Sequence, residues 1–202
     1  MLIGDGDLFA VKQAGAWFVP EGEISRHDAV PRPAHRPLAS VSAWRLLTDL
    51  AEGAPVAGPV TVDDLLGAVR RRGTRRLLSA HRSRLPHLTT IATDRNDGQC
   101  LVGGMAAVDD AQARLVRDVA MPDLYVNAAA LAALLDDPYV QPAERDANLV
   151  VRLTDDLARV PTGTDGHVAA AVGMVDMCES FDARVRLIGH NILTTLIAGT
   201  TR

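Results

Sequence analysis

"RRRGTRRLLSAHRSR", residues 70–84, holds seven arginines and no acid, in a chain whose formal net charge is −4. From Thr74 onward, Leu77, Leu78, His81 and Leu85 recur at helical spacing. Arg75, Ser79 and Arg82 fall on another face, with Arg76 and Ser83 beside them. This spacing predicts a helix over 74–85, N-capped by Thr74, with its apolar side inward and its basic side outward. A charge run is most often a solvated helix face. Here the alternative is a face turned to nucleic-acid phosphates.

The flanking segments set the context. "SAWRLLTDLAEG" (42–53) places Trp44, Leu47 and Leu50 near one face, starting at Ser42 and stopping at Gly53. "TVDDLLGAVRRRG" (61–73) opens with Thr61 and Asp64 at capping-box spacing and buries Val62, Leu65, Leu66 and Val69. After Pro86 the period changes. "HLTTIATDRNDGQCLVGG" (87–104) has two β-prone runs around an Asn-Asp-Gly turn, which predicts a hairpin with Arg95 at its tip. Helix, helix, helix, hairpin is the order of a winged helix-turn-helix. The expected DNA contacts are Arg70, Arg71, Arg72, Thr74, Arg75, Arg76, Ser79, Arg82, Ser83 and Arg95, with Arg70–Arg72 on phosphates and Arg75 and Arg82 on base edges.

Charge is unevenly spread. Residues 39–104 carry nine basic and six acidic groups, whereas residues 105–202 carry eight basic and fourteen acidic groups. A basic middle beside an acidic end points to two functional surfaces. Residues 1–38 read as two short strands around Gly15 followed by a Pro-rich linker. In the last hundred residues, 123–127 and 147–154 read as strands. Between them runs a helix capped by Asn127, and 180–199 read as a closing helix. The expected fold is therefore α+β: an N-terminal segment (1–38), a winged helix (39–104) and a small α/β domain (105–202).

Chemistry-bearing motifs are sparse. The sequence lacks GxSxG, HExxH, GxxxxGK[ST] and GxGxxG. Cys100 and Cys178 are far apart and lack metal-site spacing, and the histidines have no Cys nearby, so no metal or cofactor is expected. Aromatics at 3% make stacking platforms for single strands a poor fit. No leader or long apolar span is visible, so a cytoplasmic bacterial protein off the membrane is expected.

Two resemblances extend this reading. "LVGGMAAVDDAQARLVRDVAMPDLYV" (101–126) is similar to the core of minimal nucleotidyltransferases, with Gly103 and Gly104 as the turn and Asp118 and Asp123 as the available acids; Ala120 fills the slot where a second paired acid belongs. From Leu124 to Leu196, "LYVNAAALAALLDD", "ANLVVRLTDD" and "VAAAVGMVDMCESFDARVRLIG" resemble the C-terminal domain of AbiEi-like antitoxins of type IV toxin–antitoxin systems. That resemblance implies a winged-helix regulator that represses its own operon and opposes a toxin. The expected function is sequence-specific DNA binding by a transcriptional repressor, commonly a homodimer, on double-stranded DNA, with a cognate toxin as a second partner. The alternatives are a degenerate nucleotidyltransferase and a protein-interaction module whose basic stripe meets an acidic partner.

Overall fold

The computed structural model describes residues 8–29, 36–55, 61–88, 100–109, 121–143 and 147–200. Strands β1 (Val11–Gln13) and β2 (Ala16–Phe18) form a hairpin turning at Ala14 and Gly15, both with positive φ, as the N-terminal pattern predicts. Helix α1 (Glu21–Ala29) follows where the sequence reading places no element. Glu21 and Glu23 in its first turn and Arg26 and His27 in its last match the helix dipole.

Helices α2 (Ser40–Ala51) and α3 (Val62–Ala68) overlap the predicted helices, α2 starting two residues earlier than expected, with Ala39 rather than Ser42 as its N-cap. The capping box at α3 is formed in both directions: Asp64 N donates to Thr61 Oγ1 at 3.0 Å, and Thr61 N donates to Asp64 Oδ2 at 3.3 Å. Helix α3 ends at Ala68, so Arg70–Gly73 lie in the turn beyond it.

The stretch expected to be the third helix is a strand, β3 (Thr74–Ala80). It pairs antiparallel with β7 (Leu149–Leu153) along one edge and with β6 (Val140–Pro142) along the other. The reason is a shared signature. Adjacent Leu77 and Leu78 fit one helix face, but they fit equally a strand covered on both sides, where successive residues point to opposite faces. The sheet supplies that cover. Residues 81–84 then leave the strand as an exposed turn, so His81, expected on the apolar face, is exposed.

The sheet order is β4-β5-β7-β3-β6, with β4 (Cys100–Gly103) antiparallel to β5 (Asp123–Val126) and β5 parallel to β7. The second half of the predicted hairpin is thus β4, and its partner is β5. The first half from Thr89, and Arg95, lie outside the described residues. On one face, Leu78, Leu124, Val126, Leu149 and Val151 pack with Leu131 and Leu134 of α4 (Ala128–Leu135). Asn127 caps α4 as predicted, accepting from Ala130 N at 2.8 Å. On the other face, Leu101 and Tyr125 join α2, α3, α5 (Ala170–Cys178) and α6 (Ala183–Thr200) in one cluster. Residue 104 follows β4, whose pairing partner β5 lies in the same five-stranded sheet. The fold is mixed α+β, as expected at that level. No helix among the described residues is long and apolar enough to cross a membrane.

Strand and helix assignments for 74–80 differ in what they do to neighbouring arginines. A helix turns Arg75 and Arg76 both outward, whereas the strand buries Arg75 and exposes Arg76. Arg75→Ala is expected to lower stability by about 2–4 kcal/mol, because it strips a buried carboxylate of a partner, and Arg76→Ala by less than about 0.5 kcal/mol. Equal unfolding midpoints in urea for the two variants contradict the strand.

Candidate functional site

Across the helix-covered face, the register sets Arg75 of β3 opposite Arg152 of β7, and Arg152 beside Tyr125 of β5. Two guanidinium groups facing each other out of water repel, so this row demands acids. Helix α5 supplies Asp176, and its C-cap residue Glu179 follows three residues on, near the same face. Strand β5 supplies Asp123, and α1 supplies Glu23. A further arginine, Arg72, enters from the turn after α3. With Arg26, four basic and four acidic groups are buried here: Arg26, Arg72, Arg75, Arg152 and Glu23, Asp123, Asp176, Glu179.

The contacts form one network. Arg72 Nη2 lies 2.8 Å from Asp176 Oδ1 and 2.7 Å from Glu179 Oε2, its Nη1 donates to Glu179 Oε1 at 3.1 Å, and its Nε donates to the Tyr125 hydroxyl at 3.0 Å. Tyr125 in turn donates to Asp176 Oδ1 at 2.7 Å. Arg152 bridges Glu179 Oε2 at 2.8 Å and Asp123 Oδ2 at 3.0 Å. Glu23 accepts from Arg75 Nη1 at 2.7 Å and also from Arg26. The second Asp176 oxygen accepts from Gly104 N at 3.0 Å. That turn needs glycine twice over: Gly104 has φ +62°, and a Cβ on Gly103 sits 2.8 Å from both Asp176 Oδ2 and the Tyr125 ring. Trp44 of α2 packs edge-on against Tyr125, with centroids 5.7 Å apart, tying the helical layer to the network.

Burial and charge pull the carboxyls in opposite directions. Burial pushes Glu179 up, but Arg72 and Arg152 overcome it and hold the group well below the usual carboxylate range. Glu23 is likewise lowered, with Arg26 and Arg75 outweighing its burial. Asp123 goes the other way: burial, reinforced by Asp176 and only partly offset by Arg152, pushes it up to about 7. Burial and repulsion from Arg26 and Arg152 bring Arg75 down to about 10 despite Glu23.

The seven arginines of the opening stretch therefore divide. Arg72 and Arg75, expected on DNA, point inward as members of the ion network; the strand geometry and the acids of α1 and α5 turn them there. Arg71, Arg76, Arg82 and Ser83 are exposed, and Arg70, Thr74 and Ser79 are partly exposed. Arg84 pairs with Asp137 at 3.1 Å and lies over Tyr139. Arg70 and Arg71 line an open cleft of about 460 Å³ with Ser40, Thr74, Thr154 and Asp155. Ser40 begins α2, whose N-cap, Ala39, offers no side-chain acceptor to the first-turn amides.

The nucleotidyltransferase alternative looks to the same sheet. Gly103 and Asp123 are register partners on β4 and β5, but both Asp123 oxygens are engaged by Arg152, and Asp118 lies outside the described residues. No group of three or more His, Cys, Asp or Glu side chains among the described residues is placed to hold a metal ion. Sequence reasoning missed Glu23, Tyr125, Arg152, Asp176 and Glu179. The signal was a single charge inside an apolar run, in "LVVRL" and "GMVDMC". Comparison of the chain with protein-family models, curated proteins and solved structures finds no match.

Asp123 sets the pH response. The folded state holds its proton between the ordinary value of 3.8 and about 7, so its contribution to stability is present at low pH and lost as pH rises through that window. Glu23 and Glu179 act oppositely, contributing above their ordinary 4.5 and losing that contribution as pH falls below it. The unfolding midpoint in urea is expected to fall from pH 5 to pH 7.5 in the native chain and to stay level in Asp123→Asn. A native midpoint that rises over this range contradicts the assignment.

Proposed function

We propose that the chain is a DNA-binding transcriptional regulator that holds the duplex by its phosphate backbone. The observation that carries the reading is the cleft of about 460 Å³, which Arg70 and Arg71 line together with Thr74, Thr154 and Ser40, the first residue of α2. Guanidinium groups, hydroxyls and free first-turn amides are the donors that phosphate oxygens accept from. Arg76 lies two residues from Thr74 on the same face of β3 and extends this surface, and Arg82 continues it in the exposed turn beyond. Among the described residues, Asp155 is the one acid lining the cleft, against two bases.

The winged-helix reading keeps its first two helices in α2 and α3, with β3 in place of the third. Contacts then come from the turn at 70–73 and the exposed Arg76 of β3 rather than from a helix in the major groove. The antitoxin reading rests on the resemblance over Leu124–Leu196, which spans β5, α4, β7, α5 and α6. Under it the regulator represses its own operon, and the acidic C-terminal part meets a toxin.

The test is fluorescence anisotropy of the chain with duplex DNA from upstream of its own gene, over a salt series. Arg71, Arg76 and Arg82 on phosphate give a log–log slope of about −2.7 per protomer, and Arg71→Ala reduces its magnitude by about one. Arg71→Ala is expected to leave the unfolding midpoint unchanged, because the side chain is exposed. A slope near zero, or no binding of any duplex at low salt, overturns the reading.

A further inference from the structure

A second feature adjoins the network at Arg75, Asp123 and Arg152. A cavity of about 30 Å³ is lined by Arg75, Asp123, Arg152, Met105, Met121 and Phe181, among others. Arg75 Nε is buried and has no acceptor among the described residues. The rest of that guanidinium is fixed: Nη1 is held by Glu23, and Phe181 covers one face with its centroid 4.7 Å from Cζ. A charged, buried donor without an acceptor is a defect that native proteins fill. The volume admits one ion or one to two waters and excludes phosphate or a carboxylate metabolite.

Charge decides between ion and water. The eight buried groups balance, four against four, only when every carboxyl is ionised. Asp123 is the carboxyl that burial pushes toward its protonated form. It is faced by Arg152 of β7, Tyr125 of β5, Arg75 of β3, Asp176 and Glu179 of α5, and Arg72 from the turn after α3. Asp176 and Glu179 are engaged by Arg72 and Arg152, and Glu23 is shared between Arg26 and Arg75. Protonating Asp123 thus leaves one positive charge in excess beside Arg75 and Arg152, the two arginines that line the cavity and face each other across β3 and β7.

We propose that this cavity is a binding site for one small monovalent anion of halide size, held by Arg75 Nε and Arg152 and taken up together with a proton on Asp123. The site is separate from the Arg70–Arg71 cleft and does not rest on the DNA-binding reading. Uptake of one proton per anion makes the affinity fall about tenfold for each pH unit above about 7 and level off below it.

The experiment uses the full chain and bromide. Thermal unfolding is followed as bromide replaces gluconate at constant ionic strength, at pH 6.5, 7.5 and 8.5, in the native chain, in Asp123→Asn and in the double variant Arg70→Ala/Arg71→Ala. The expected result is saturable stabilisation by bromide at pH 6.5 that weakens about tenfold in affinity from pH 7.5 to 8.5. Asp123→Asn, neutral at every pH, is expected to keep its bromide response at pH 8.5, and the double variant to behave as the native chain. If Asp123→Asn fails to fold, the pH series on the native chain decides. Equal midpoints in bromide and gluconate at pH 6.5 mean water fills the cavity, and a response lost in the double variant means surface arginines hold the ion; either overturns the proposal.

Discussion

The fold turns on a pair of like charges. Register places Arg75 and Arg152 opposite each other on the covered face of the sheet, and only acids brought to that face let the sheet close. Glu179 accepts from both Arg72 and Arg152, and Asp176 takes Arg72 and the Tyr125 hydroxyl. One helix thereby clamps a turn, two strands and, through Gly104, the segment after β4. A buried ion network of this kind adds little net stability over an apolar core, but losing one member strands a charge. Its effect is to favour the observed seating of α5, in which Asp176 and Glu179 both meet arginines.

That selection also shapes the surface. With Arg72 drawn inward, the adjoining residues of the turn after α3 are held at its rim, and Arg71 faces solvent at the mouth of the cleft with Arg70. The basic stretch is thus neither wholly a solvated face nor wholly a contact surface. Part of it is the positive half of the core, Arg84 pairs with Asp137, and Arg71, Arg76 and Arg82 face solvent.

The sequence was most legible where one face of an element is buried and its ends carry local signals. The Thr61–Asp64 box and the Asn127 cap marked α3 and α4, and the alternation Leu149, Val151, Leu153 marked β7. Strand β3 was not legible as a strand. Its pattern suits both periods, and the choice is made by pairing with β7, some seventy residues away, which local spacing does not encode. The candidate site was half legible for a related reason. Arginine at 70–72 reads as exposed by composition, and nothing local distinguishes Arg72, whose partners sit over a hundred residues along the chain in α5.

A double-mutant cycle on Arg72 and Glu179 tests the central claim most directly. Arg72→Met, Glu179→Met and the pair are compared by urea unfolding at pH 7. The account predicts that each single variant loses about 3–5 kcal/mol, with a coupling energy of about 2 kcal/mol or more, because the double variant removes both charges together. Additive losses, with coupling near zero, would show that the two side chains do not share a buried pair and would contradict the account.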